Sequence, residues 1–269
     1  MALASFKGSI WSAAIQASLD NTLVAGALVN TSYAGEIGRN KSVVVNKIGA
    51  LSAVAYDGTT PLSAAALTST SQSIVVDQAQ AVAFKLDDAD AAQISAPVLA
   101  EATAKAGRTL AQTIDAYLIN EMWTDAGADL GEKTISSTYS AYDLLSDLAV
   151  ELDGANTPAD GRFVIVSPAF AALLSRDARL NRATVAGDDV ARTGNVGEAA
   201  GFRVYKTNQA SAGAVLAGHS VSTAFINQVT VTEAVRAADF FADVVRTMAL
   251  YGAKVIEPGA LAKATWIVD

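Results

Sequence analysis

Between Pro97 and Asp125 the sequence carries an apolar stripe that only an α-helix brings onto one face: Leu99, Ala102, Ala106, Leu110, Ile114, Tyr117 or Leu118, and Met122. Ser95 and Pro97 supply the start, since proline at the first helical position lacks only an N–H that would be unpaired anyway. Gly127 supplies the stop. At 1.5 Å per residue such a helix is roughly 43 Å long. That is long for a soluble domain, and the rest of the fold must be arranged along it as a spine.

The segments on either side read mostly as strands. Ser42–Ile48 is a β-branched run, Ser73–Asp77 holds an Ile-Val-Val run, and Val82, Phe84 and Leu86 share one face by period two. Further on, Phe163–Val166 is a short strand of buried type, followed by Phe202–Thr207 and Val215–Leu216. Val229 and Val231 alternate with Thr230 and Thr232. A long strand from Phe241 to Glu257 ends at Pro258-Gly259. Two more helices interrupt the strands. Ser140 and Asp143 form a capping box ahead of Leu144, Leu145, Leu148, Ala149 and Leu152, and Ser167-Pro168 opens a helix to about Arg176. The fold class is α+β.

Two stretches look poorly provided with core. In the first, Trp11, Ile15, Leu19 and Leu23 recur every four residues while Gln16 and Asp20 interrupt the run. This pattern is an amphipathic helix, not an export signal, and implies a protein made and used in the cytoplasm. In the second, Gly35, Gly38, Gly49 and Gly58 punctuate the chain, and Thr59–Ser73 is nearly all Thr, Ser and Ala. Residues 32–70 therefore read as a two-stranded excursion from the main body, and excursions of that length are usually functional.

Residues that carry chemistry are scarce. With no cysteine, disulfides, thiolate metal sites and cysteine nucleophiles are excluded. The one histidine, His219, would have to serve any Ser–His–Asp arrangement, yet it follows a small-residue strand, where it reads as a turn residue. Asp87, Asp88 and Asp90 could offer oxygen ligands to a divalent cation or act as a carboxylate-only hydrolase. They lack the glycine and distal glutamate of a calcium loop and read as a solvated turn. The run Gly194-Asn195-Val196-Gly197-Glu198-Ala199-Ala200-Gly201 has the glycine content of a phosphate loop but precedes a strand instead of following one. Arg176, Arg179 and Arg182 lie three apart and could present a basic edge, although a solvated helix end explains them as well. Phe240-Phe241 and the pair Tyr139/Tyr142 read as core. No catalytic, cofactor-binding or metal site is assigned.

Composition supports a protein whose surface is used for contacts. Only 17% of residues are charged, against roughly 25% in an average domain. A subunit that hides its outside against copies of itself would show this deficit, and so would an Ala-rich globular protein. The net charge of −8 opposes a nucleic-acid reader, which needs a concentrated basic face. No stretch is apolar enough for a membrane span.

The order of these parts resembles the Hong Kong 97-type capsid fold of tailed-phage major capsid proteins. Several stretches are similar to that family in wording: Trp11-Ser12-Ala13-Ala14-Ile15, Phe84-Lys85-Leu86-Asp87-Asp88, Gly194-Asn195-Val196-Gly197 with Gly201-Phe202-Arg203-Val204, and Asp243-Val244-Val245-Arg246 with Tyr251-Gly252-Ala253-Lys254-Val255 and Pro258. The resemblance implies an N-terminal arm at 1–31 and an E-loop at 32–70. It implies a P-domain at 71–130 with the spine helix, an A-domain at 131–228, and return strands of the P-domain with the C-terminus at 229–269. It also implies a non-enzymatic subunit, without cofactors, that assembles with itself as hexamers and pentamers in an icosahedral shell. The shell would enclose double-stranded DNA without sequence-specific binding, in a virion assembled in the host cytoplasm. A separate scaffolding protein and a portal are implied partners. Lys41 and Lys47 lie in the expected E-loop, but nothing identifies an Asn acceptor for an isopeptide crosslink. The rival readings are an encapsulin-like nanocompartment shell protein and a secreted surface-layer or adhesin subunit.

Overall fold

The spine helix forms where its stripe predicts it. In the computed structural model, which describes residues 23–33, 42–49, 53, 66, 68–87, 97–181, 197–236 and 241–269, helix α1 runs Pro97–Thr124. The strands in order are β1 Ser42–Ile48, β2 Ser69–Val75, β3 Gln78–Asp87, β4 Ala128–Ile135, β5 Arg162–Val166, β6 Glu198–Ala199, β7 Phe202–Lys206, β8 Ala214–His219, β9 Thr223–Arg236, β10 Ala242–Val255 and β11 Leu261–Val268. The other helices are α2 Ala141–Gly154, α3 Pro168–Ser175 and the single turn α4 Ala178–Asn181. Among the described residues the strands make a hairpin β1-β2, a three-stranded sheet β3-β10-β9 and a six-stranded sheet β4-β11-β8-β5-β7-β6.

The six-stranded sheet is covered on both faces, and the pleat decides which side chain goes where. Phe163 and Ile165 of β5, Leu216 of β8 and Leu261 of β11 join Leu110, Ile114, Leu118 and Met122 of α1 in one core. Their neighbours Val164, Val166, Val215, Ala217, Ala262 and Ala264 join Leu144, Leu145, Leu148 and Leu152 of α2 and Phe170 and Leu174 of α3 in a second core. A strand buried on both faces must be apolar, as Phe163–Val166 is, and the buried Arg162 at its start is satisfied by the Thr157 and Pro158 carbonyls and by Asp153. The capping box of α2 is complete: Ser140 Oγ accepts from Asp143 N, and Asp143 Oδ2 accepts from Ser140 N.

The spine also covers the three-stranded sheet. Ala249 and Tyr251 of β10 belong to the α1 core, and the Tyr117 and Tyr251 rings meet edge-on at 5.3 Å. At the C-terminal end of α1, Lys263 Nζ of β11 donates to the Trp123 carbonyl at 3.0 Å, and Lys254 Nζ of β10 pairs with Asp125 at 2.9 Å. Lys263 satisfies an open carbonyl of the helix C-terminus, and both cations oppose the negative end of its dipole. They also tie one strand of each sheet to the same helix end.

The structure departs from the sequence reading at five places. β4 has no sequence signal of its own: it is a half-exposed edge strand with Gly131 at positive φ, and its pairing comes from parallel register with β11. β2 begins at Ser69 and is the return strand of the hairpin, with Ser42 opposite Val75 and Ile48 opposite Ser69, so the excursion reaches past residue 70. β9 spans Thr223–Arg236, far more than its Val/Thr alternation indicated. β11 enters the six-stranded sheet between β4 and β8, although the reading grouped all of 229–269 with the other sheet. Finally, Phe241 is 82% exposed instead of in the core. It sits at the mouth of the β9–β10 hairpin, where no element of the described body reaches over it. The helix expected over Trp11–Leu23 lies outside the described residues except for Leu23, as do Lys41, Asp88, Asp90, Arg182 and Phe240.

Candidate assembly surfaces

Among the described residues, His219, the end of the glycine-rich run and Arg179 make ordinary structural contacts. His219 ends β8, where its Nδ1 accepts from Val221 N at 3.2 Å. That bond leaves Nε2 as the protonated nitrogen, donating to the Asp160 carbonyl at 2.8 Å. Both nitrogens are thus spent on backbone, which is the role of a turn histidine. In the glycine-rich run, Ala200 (φ 51°) and Gly201 (φ 81°) are the two central residues of the β6–β7 hairpin. Positive φ at both makes this a type I′ turn, not a phosphate cradle.

Of the expected arginine edge, Arg182 lies outside the described residues, and Arg176 and Arg179 do not share one helix. α3 ends at Ser175 and α4 starts at Ala178, so Arg176 and Arg179 lie on different turns. Arg179 folds over the Tyr142 ring and pairs through both guanidinium nitrogens with Asp143. This contact, together with the Ser140 N–H, holds the Asp143 carboxyl below its usual range. Tyr139 is half-buried and donates to Asp147 at 2.6 Å. Asp87 is the last residue of β3, opposite Ala242. Among the described residues no group of three His, Asp or Glu could hold a metal ion, and no helix is long and apolar enough to cross a membrane.

What the structure offers instead is extended surface with defined anchorage. At the base of the hairpin, Val43, Val45, Ile74 and Val76 pack with Ala224, Ile226 and Ile256, while Val44 and Val75 face outward. β2 crosses β10 at Gly252 so closely that a Cβ there would lie 2.1 Å from the Val75 carbonyl oxygen. Only glycine permits that approach. Lys47 of β1 adds an ion pair to Glu257 at 2.5 Å. Chain length and polarity suggested a coreless excursion; its root in fact has a small core of its own, and the ladder closes where Gly49 N donates to the Thr68 carbonyl at 2.8 Å.

The hairpin root covers only part of one face of the three-stranded sheet. Leu250 lies against the hairpin core, whereas on the same face of β10 Val244 and Met248 are half-buried and Arg246 is exposed among the described residues. Opposite them on β9 are Val235 and Glu233, with the Arg246–Glu233 ion pair at 2.6 Å. A sheet face that alternates valines with an internally neutralised ion pair can meet another surface without leaving a buried charge alone.

Residues 69–264 match a family model described as phage capsid protein, a span that holds every strand from β2 to β10 and the first half of β11. The chain belongs to that family. It is similar to a chain from Mycobacterium phage Che8 at 26% identity and a TM-score of 0.76, with 90% of each chain covered. It shares the fold of the capsid of cyanophage P-SCSP1u at 16% identity and TM-score 0.70, covering 90% of this chain and 86% of that one. It also shares the fold of a virus-like particle from Pyrococcus furiosus at 13% identity and TM-score 0.64, covering 96% and 99%. No curated protein sequence matches it. The protein is a tailed-phage major capsid protein with the Hong Kong 97-type α+β fold, and its place is the capsid of the virion.

Proposed function

We propose that this capsid protein acts by shape and contact alone, without catalysis, as the repeating unit of an icosahedral shell around double-stranded DNA. The observation that carries this reading is the family match across 69–264, the span that holds nearly all of both body sheets. Residues 1–31 are the arm, the β1–β2 hairpin is the E-loop, and α1 with β3-β10-β9 is the P-domain. The six-stranded sheet with α2 and α3 is the A-domain, to which the partners of β11 add 261–268. Subunits meet as hexamers and pentamers through repeated heterologous contacts, which close into a shell when their angles allow. Scaffolding and portal proteins are supplied separately, and assembly takes place in the host cytoplasm.

The net charge of −8 supports an interior that repels packaged DNA instead of gripping it. Free subunits are therefore expected to bind DNA poorly even at low salt, and tight, salt-sensitive binding would overturn this part. Negative-stain microscopy of the purified chain tests the whole reading. Closed icosahedral particles are expected, and a monomer that persists at high concentration would refute it. Enzyme cargo in place of DNA would mark the particle as a nanocompartment.

Shell formation should also need the loop's far end. Replacing residues 50–67 by an Asn-Gly turn joins Gly49 to Thr68 where the ladder already brings them together. The body should melt as before while shells fail to form. Normal shells from the trimmed chain would remove the loop from the contact set.

A further inference from the structure

Asp115 breaks the pattern of the spine helix. It lies on the face that α1 turns to the core, between Ala111 and Leu118, and is 3% exposed. A carboxylate so placed normally needs a cation. Here its partners are three successive backbone N–H groups from the other end of the sequence. Oδ2 accepts from Val24 at 2.8 Å, and Oδ1 accepts from Ala25 at 3.0 Å and Gly26 at 3.2 Å. Burial pushes the carboxyl's pKa up, and the three donors oppose that shift.

The segment so held is fastened again six residues on. Asn30 N donates to the Thr223 carbonyl, and Phe225 N donates to the Asn30 carbonyl, both at 2.9 Å. Ala25 and Val29 are buried in the main core between these two fastenings. The same stretch of β9 carries Ala224 and Ile226, on which the hairpin root packs. Residues 24–30 are therefore part of the folded body, and residues 1–22 precede a point fixed by one side chain.

We infer that Asp115 is a positioning residue for assembly: it fixes where and in what direction the amino-terminal arm leaves the subunit before any neighbour is met. This rests on the arm reading of residues 1–31. Asparagine is the informative replacement, because it has nearly the same shape. Its one carbonyl oxygen can still accept from Ala25 and Gly26, but its NH₂ would then confront the Val24 N–H, donor against donor.

In Asp115→Asn, hydrogen exchange of the isolated subunit should show the Val24 amide opening at least about tenfold faster, with Val164 and Ala217 amides unchanged and shell yield reduced. A Leu148→Ala variant of α2 serves as the control, since it removes volume from the second core, to which residues 23–30 contribute nothing. Equal loss of shells in both variants at matched stability would reduce Asp115 to a packing role and overturn the inference, as would unchanged Val24 exchange in Asp115→Asn. If Asp115→Asn does not fold, Asn30→Pro deletes the N–H given to Thr223 and releases the other fastening. Loss of shells from a folded Asn30→Pro subunit supports the inference, and normal shells oppose it. Should the unaltered chain make no shells, the capsid reading fails, while the exchange comparison still decides whether Asp115 holds the arm.

Discussion

The two sheets of this subunit are stabilised in different ways. The six-stranded sheet lies between α1 on one face and α2 with α3 on the other, and its second core draws on the sheet and the two helices with no contribution from the described residues of the arm or hairpin. The three-stranded sheet has one face on α1, and its other face is only partly covered, by the hairpin root. On that side the hairpin is held by its small root core, the Gly252 crossing and the Lys47–Glu257 pair, while the Asp115 carboxylate holds residues 24–26 to α1. The difference separates a sheet enclosed by helices on both faces from one whose second face, among the described residues, meets only the hairpin root.

The largest effect should come from emptying the closed core. Phe170→Ala removes a fully buried ring that packs at 5.6 Å from Trp266 and should cost about 3–5 kcal/mol in chemical denaturation. A loss below about 1 kcal/mol would mean that this half can collapse around a cavity, and the contrast between the sheets would weaken.

The next test addresses the open half. Gly252→Ala puts a methyl group into the Val75 backbone, so β2 must shift. A cost of about 1–3 kcal/mol is expected, with intact near-native helix signal and loss of shells. Denaturation that resembles Phe170→Ala would show that the hairpin root is integral to the body.

Smaller effects sharpen the boundary. Ser140→Ala removes the α2 cap and should cost about 1 kcal/mol, with shells still forming. Asp143, whose pKa is lowered in the folded state by Arg179 first and then by the Ser140 N–H, contributes stability above its ordinary value of 3.8. That contribution is lost as pH falls through the folded value. Asp143→Asn should therefore flatten the acid limb of a stability–pH curve below about pH 4. An unchanged limb would show that the surface pair with Arg179 is too screened to matter.

How much of this was readable in the sequence follows from how local each signal is. The spine stripe, the Ser140–Asp143 capping box, the doubly buried Arg162–Val166 and the long strand ending before Pro258 all depend on neighbours within a few residues. β4 and β11 do not: they pair with each other across more than a hundred residues, β11 pairs on its other side with β8, and β4 has no apolar alternation to betray it. Asp115 is a different case. Ala111, Asp115, Leu118 and Met122 fall on one helical face by spacing alone, so an acid on the apolar stripe was visible, but its three N–H partners were not. Phe241 was misjudged because an aromatic pair is usually core, whereas a subunit built for contacts can leave such a side chain uncovered.

The position of β11 has a consequence for timing. Ribosomes deliver residues 261–268 after every other strand, yet these residues fill the slot between β4 and β8. Until they emerge, β4 has no sheet neighbour, and both cores lack side chains from β11. A nascent chain that lacks β11 is thus without the finished six-stranded sheet.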